Sequence, residues 1–446
     1  MKFLQFTCIS LIFGIIGVAA PTSLYAANLM DIYREALEQD AQYRSARAEY
    51  QAKQEKTTQG RAGLLPNITL TGTRQTQKID VGNLSSGQNP DEVTIQSRGI
   101  VFRATQPLIR VENIVIYAQS KIEVAQADSQ FVLAAQDLIL RVAQAYFDVL
   151  SAQVDVEVAE AQKVAILKQL DQAKRNFEVG VSTIVDTNEA QARYDLTLSQ
   201  EIAARNALEI SKRRLQGIIN RFPDRLISGN EFNAELTDLQ YANMEEWVAV
   251  AKEKNFALKI QQASYDIAKK EVKRMRAQHY PTMDFIAQYS DQTGVGGAFT
   301  GQGIDLISKS IGVQLNVPLF EGFGTQSRVR EAVANEQRSR HDLEDAQRNN
   351  ALQVRQQYLN ITNGVAQVKA LKQAVVSSQT QLDSTVLGQE VGVRTEVDVL
   401  NAQQQLYSAR RDLAKAYYNY LMSRLRLKAE AGELDEDTLL QINAML

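Results

Sequence analysis

The chain has 446 residues, 52 of them acidic and 49 basic, for a formal net charge of −3. That balance gives no reason to expect nucleic acid as a partner, because polyanion binding rests on an excess of Lys and Arg. The one cysteine, Cys8, sits near the N-terminus, which leaves the rest of the chain without a disulfide or a thiolate metal site.

Residues 1–26 read as a secretory signal peptide: Lys2, an apolar run over residues 11–20, then Ser23-Leu24-Tyr25-Ala26 as the cleavage site. The run is too short to span a bilayer. Cleavage removes Cys8 and Lys2 and leaves an exported chain with 48 basic and 52 acidic residues.

Residues 29–61 predict one helix, with Ile32, Tyr33, Ala36 and Leu37 at helical spacing and Gly63 and Pro66 ending it. Residues 67–75 alternate with the period of a strand, Ile68 and Leu70 opposing Thr69 and Thr71. A Gly/Ser/Asn/Pro-rich connection at 81–91 leads to a second strand over 94–106, where Ile100, Phe102 and Ala104 oppose Val101, Arg103 and Thr105. Residues 112–179 are helical in pattern, and another helix follows a break.

That break is half of a duplication. Residues 178–186 read EVGVSTIVD and residues 390–398, 212 positions on (390 − 178), read EVGVRTEVD. The copies differ only at Ser182/Arg394 and Ile184/Glu396. Pro107 pairs with Pro318, and Pro66 with Pro281, at nearly the same offset. A period so long is a duplicated half-molecule, since a solenoid unit is ~20–50 residues.

The second half accordingly reads as a linker with Pro223 and Gly229, a helix over 243–278, and a strand after Pro281 with Met283, Phe285, Ala287 and Tyr289 on one face. A glycine-rich loop at 294–303 precedes a strand in which Ile311, Val313, Leu315 and Val317 alternate with polar residues or glycine. Pro318 closes it and a long helix runs to about 387. The expected division is a first repeat at 27–222, a linker at 223–242, a second repeat at 243–432 and a C-terminal segment at 433–446. The expected class is α+β: long antiparallel helical coiled coils plus four strands per chain. The tracts 108–222, 224–280 and 319–446 lack proline, which permits very long helices.

The alternation of the strands suits a half-buried soluble sheet as well as a membrane-crossing one. Export and the Gln/Asn/Ser/Thr-rich polar faces favour the membrane. Four strands cannot close a barrel when the smallest have ~8. Membrane strands here therefore require an oligomer, and composition leaves open whether two chains or three share the barrel.

In the nonapeptide, Gly180 and Gly392 suit the left-handed position ending a helix. Thr183 and Thr395 suit N-caps, with Asp186 and Asp398 completing capping boxes. Each copy is thus the turn of a helical hairpin. Asp186, Arg394 and Asp398 at such a tip are either solvated or a latch, and Asp398 and Asn401 share one helix face.

With Leu64-Leu65-Pro66, Gln169-Leu170-Asp171, Val317-Pro318-Leu319, Lys372-Gln373-Ala374-Val375-Val376 and Val397-Asp398-Val399-Leu400 in this order, the chain resembles the TolC family of outer-membrane channel-tunnels. It resembles the namesake branch rather than the acylated relatives. The resemblance implies a homotrimer whose twelve strands form one barrel in outer-membrane lipid, with Phe102, Phe285, Tyr289, Ile311, Val313, Leu315 and Val317 facing that lipid. It implies a helical tunnel across the periplasm. The tunnel would be closed at its tips by Asp186, Gln389, Arg394, Asp398 and Asn401. It would open when a periplasmic adaptor and an inner-membrane ABC or proton-driven transporter dock. Gln389 replaces the family's aromatic gate residue and Asn401 an acidic ring position, so weaker block by multivalent cations is expected. The competing reading is a periplasmic coiled-coil adaptor or scaffold without a pore.

No catalytic, cofactor or metal site is expected. His279 and His341 lack ligand partners at metal spacing, and no nucleophile or phosphate-loop motif occurs. Tyr417, Tyr418 and Tyr420 read as packing, and Trp247 carries no functional reading.

Overall fold

The computed structural model describes residues 27–79, 93–223, 226, 239–295 and 304–446. The expected signal peptide, the connection at 81–91 and most of the loop at 294–303 and of the linker at 223–242 lie outside the described residues.

The first repeat consists of α1 (Leu29–Gln39), α2 (Ala41–Ala62), β1 (Asn67–Ile79), β2 (Val93–Ile109), α3 (Val111–Glu178) and α4 (Ile184–Ile219). The same order returns as α5 (Met244–Lys254), α6 (Phe256–Ala277), β3 (Thr282–Val295), β4 (Ile304–Asn316), α7 (Gly324–Glu390) and α8 (Glu396–Glu430), with α9 (Glu436–Ala444) added at the end. At ~1.5 Å per residue, α3 with 68 residues and α7 with 67 each extend about 100 Å.

Two of the helix expectations need correction. Residues 29–61 form two helices broken at Asp40, whose extended backbone (φ −65°, ψ 119°) and side chain cap α2 through the Tyr43 amide at 2.6 Å. Residues 243–278 break likewise at Asn255, which accepts from the Leu258 amide at 2.9 Å. The two breaks lie 215 positions apart (255 − 40), the same offset as Pro66 and Pro281 (281 − 66). Apolar periodicity runs through both breaks and hides them. The readable signal was an Asp or Asn at the N-cap position.

The four strands form one antiparallel sheet in the order β1-β2-β3-β4, so β1 and β4 are its outer edges. β2 runs on through Pro107 to Ile109, past its expected end at 106, with a register shift at that point. β4 ends at Asn316, so Val317, expected as a strand residue, lies one position beyond it.

Directly opposite residues share a face, and the register sorts the sheet cleanly. Leu70 pairs with Phe102, Phe102 with Tyr289, Phe285 with Val313, Ala287 with Ile311 and Met283 with Leu315. All six expected apolar positions inside the strands therefore stand on one exposed face. The other face carries Thr69, Thr71, Arg103, Gln288 and Gln314, and there the Arg103 guanidinium donates to Gln288 Oε1 at 2.8 and 3.1 Å.

The core lies around the middle of α3. Leu138, Val142, Tyr146 and Leu150 meet Leu29 and Ile32 of α1, Leu215 of α4, Leu421 and Leu425 of α8 and Leu439 of α9, all fully buried. Burial stabilises each such side chain by about 1.5–3 kcal/mol. The tyrosines belong to this packing: Phe147 stacks on Tyr418 at 5.7 Å, and the Tyr417 hydroxyl donates to Met445 O at 2.7 Å. Trp247, which the sequence left without a role, is buried and anchors the chain before α5. Its indole N–H donates to Tyr241 O at 3.0 Å and its ring meets Tyr241 edge-on at 4.9 Å.

Candidate functional site

The tips of the two helical hairpins, α3/α4 and α7/α8, are built alike. At the end of α3 the Val181 amide donates to Asn176 O (2.9 Å) and the Gly180 amide to Phe177 O (3.0 Å), the paired closure of a Schellman turn. The end of α7 repeats this with Val393 to Gly388 O (2.9 Å) and Gly392 to Gln389 O (3.0 Å). Gly180 and Gly392 have φ of 79° and 78°, and open space surrounds the position of a Cβ at either. The requirement for glycine there is conformational, not steric crowding.

Thr183 and Thr395 cap the return helices. Asp186 Oδ2 accepts from the Thr183 amide (2.9 Å), the Thr183 hydroxyl (2.8 Å) and the Ser182 hydroxyl (2.7 Å). Asp398 Oδ2 accepts from the Thr395 amide and hydroxyl, both at 2.9 Å. These hydrogen bonds, the Thr183 amide foremost, hold the Asp186 carboxyl below its usual range. At Asp398 the Thr395 bonds do the same, and the nearby Arg394 charge adds to them.

Arg394 stands where the first tip has Ser182. Its backbone amide donates to Gly388 O at 3.1 Å and its side chain lies close over Gly388. Among the described residues its guanidinium makes no hydrogen bond or ion pair. Within one chain, then, Asp186 and Arg394 are not joined. Gln389 is half-buried in the last turn of α7, and Asn401 is exposed on α8, one turn beyond Asp398.

Glu396 was missed as a site residue, although it is one of the two positions at which the nonapeptides differ. It is half-buried, and its Oε1 is sealed from solvent without a hydrogen-bond partner among the described residues. Burial, and then the charge of Asp186, push its carboxyl up. The two tips of one chain thus share an electrostatic field. Around them Val179, Val181, Val391 and Val393 are exposed. Among the described residues no cluster of His, Cys, Asp and Glu could hold a metal, and no helix is long and apolar enough to cross a membrane.

The sequence profile of the family described as outer membrane efflux protein matches residues 32–221 and 247–433, almost the whole described chain. The chain belongs to that family. It is 34% identical to the outer membrane protein TolC of Vibrio cholerae, over 95% of both chains. It is 32% identical to the alkaline protease secretion protein AprF of Pseudomonas aeruginosa, over 95% of this chain and 88% of that protein. The fold matches the crystal structure of the Vibrio cholerae outer membrane protein VceC with a TM-score of 0.75 at 19% identity, covering 91% of this chain and 96% of the other. This member of the family is an outer-membrane export channel with a large periplasmic part.

Proposed function

We propose that three copies build one twelve-stranded barrel, β4 of each pairing with β1 of the next, and that their helices continue it as a tunnel through the periplasm. The observation that carries this reading is the sheet: four antiparallel strands, two outer edges, and an apolar face backed by a polar one. An open edge in lipid leaves N–H and C=O groups without partners, each costing several kcal/mol, so membrane strands must close on themselves. Three copies accord with the family, whose channels are homotrimers working with an adaptor and an inner-membrane transporter.

In this reading Phe102, Phe285, Tyr289, Ile311, Val313 and Leu315 face outer-membrane lipid, with Val317 just below, and Arg103 and Gln288 line the lumen. Residues 27–222 and 243–432 act as two equivalent repeats joined by the linker 223–242, and the C-terminal segment 433–446 packs on the tunnel at the level of its core. The tips form the periplasmic gate. Arg394, without a hydrogen bond or ion pair among the described residues, meets Asp186 across the subunit boundary, while Gln389, Asp398 and Asn401 ring the axis. A periplasmic adaptor and an ABC or proton-driven transporter open the gate and supply the energy. The chain itself does no covalent chemistry. The cargo is a polypeptide or a small molecule handed over by that transporter.

Native mass measurement in mild detergent is expected to give three chains, and planar bilayers are expected to show a small closed-state conductance that rises several-fold in Arg394→Ser. A monomer that dissolves without detergent and leaves vesicles ion-tight would sink the reading.

A further inference from the structure

The strands hold five basic residues: Arg74 and Lys78 in β1, Arg98 and Arg103 in β2, and Lys309 in β4. Arg103 alone is on the polar face. The other four stand on the apolar face, towards its end remote from the helices. Register places Arg74 directly opposite Arg98. Like charges directly opposed on neighbouring strands destabilise a sheet. Both side chains are exposed, and neither makes a hydrogen bond or ion pair among the described residues. Asp291, opposite Ile100, sits diagonally from Arg98 without pairing to it. Lys309 is opposite Tyr289 and holds its ammonium 5.8 Å from that ring. Among the described residues, Asp305 at the start of β4 is the other acid on this face.

Depth along the strands adds a second constraint. Arg74 is six residues beyond Ile68 (74 − 68), ~20 Å along the strand at ~3.3 Å per residue. With the ~40° tilt of barrel strands, that is roughly 15 Å of height in an apolar band ~25 Å tall. On this face the apolar side chains end at Ile100 and Ile307, and beyond the opposed arginines come Thr76, Lys78, Gln96 and Thr94. Arg74 and Arg98 therefore stand at the far rim of the apolar stretch. With the helices in the periplasm, that rim is the outer leaflet, whose lipid headgroups are phosphorylated sugars.

We propose that Arg74 and Arg98 form a binding site for a phosphate of the outer-leaflet glycolipid. This rests on the reading that the apolar face meets lipid. One phosphate between two guanidinium forks turns a repulsive pair into two charge-assisted, geometrically matched contacts. β1 is also the edge that closes against the next copy, whose β4 carries Lys309 on the same face. The lipid phosphate thus sits beside the seam between subunits and fastens it from outside.

The test uses the full oligomer in mild detergent, with lipid A and dephosphorylated lipid A as probes and inorganic phosphate as competitor, read by native mass spectrometry. Lipid A is expected to bind the unaltered protein at least about tenfold more tightly than the dephosphorylated probe. Arg74→Gln/Arg98→Gln is expected to abolish that preference, and Arg74→Lys/Arg98→Lys to keep only part of it, since the charge remains and the fork geometry is lost. Equal binding of both probes, or a double Gln variant that still discriminates, overturns the proposal. So does inorganic phosphate that displaces lipid A at equal concentration, which marks a free-anion site. Ile311→Trp, reconstituted with brominated acyl chains, separates the two readings. Absent quenching means that the face does not meet lipid. Strong quenching without lipid A preference means that the phosphate site alone is wrong.

Discussion

Asp40 accepts two hydrogen bonds from the Arg141 guanidinium, at 2.9 and 3.1 Å, and so ties the α1/α2 break to the middle of α3. Among the described residues its counterpart Asn255 pairs with no cation and instead donates its side-chain amide to Glu430 O at 2.8 Å. Burial pushes the Asp40 carboxyl up, but Arg141 and the Tyr43 amide outweigh it and hold the group below its usual range. Asp40→Ala is expected to destabilise the protein by roughly 2 kcal/mol, because it leaves the partly buried Arg141 guanidinium with Asp137 as its remaining carboxylate, at 2.7 Å, and removes a cap. Asp40→Asn keeps the cap and is expected to cost about half as much. Denaturant unfolding in detergent, followed by circular dichroism, checks the order. Equal losses would mean that the ion pair adds nothing to the cap.

The tips are expected to respond to acid in two opposed phases. Asp186 and Asp398 ionise below the ordinary 3.8. Their contribution is complete above that value and is lost as pH falls through the lower folded values. Glu396 has the opposite sign: its carboxyl lies above the ordinary 4.5, so its charge destabilises the tip at neutral pH and protonation relieves that. Tip protection against hydrogen exchange, corrected for the intrinsic rate, should therefore rise as pH falls from neutral and collapse below about pH 4. Glu396→Gln should erase the rise and keep the collapse. A monotonic profile in the unaltered protein would rule this out.

Glu396→Ile gives the second tip the residue of the first. Relief of a sealed, unpartnered carboxylate oxygen is expected to stabilise α8 against local opening by roughly 1 kcal/mol. Exchange of the Val399 and Leu400 amides reads this directly. An unchanged or faster rate would show that Glu396 has a partner in the assembled channel.

Much of the architecture was legible. The duplicated nonapeptide gave both turns to the residue, because a left-handed glycine, a threonine cap and an aspartate at the third helical position leave little local choice. The strand faces were legible because a period of two survives any register. The breaks at Asp40 and Asn255 were not, since the apolar stripe continues through them and a single capping residue is a weak signal inside it. Glu396 was overlooked for another reason. Its burial depends on how α8 packs against its neighbours, and nothing in its own segment encodes that. Trp247 likewise acquires a role only when the end of the linker folds over it.

Gly180→Ala and Gly392→Ala should each cost about 1 kcal/mol, from the left-handed backbone alone, since no neighbour crowds the new methyl. Faster exchange confined to the affected tip would match. A global loss of stability would mean that the turn packs against something in the assembly.

Asn401→Asp restores a carboxylate on the face already carrying Asp398, one per chain. Single-channel recordings with a trivalent cation are expected to show block tightened by about tenfold or more, since in the proposed gate the added charges would act together in a narrow, poorly screened space. Unchanged block would place Asn401 away from the conducting path.

The two outer edges of the sheet belong to the same polypeptide, and this has a genetic corollary. On the proposed pairing of β4 with the next copy's β1, a copy damaged only along β4 still offers an intact β1, so it can join a growing ring and then prevent its completion. Such an allele should poison the normal protein when both are expressed, whereas a deletion of the whole gene should be silent beside a working copy.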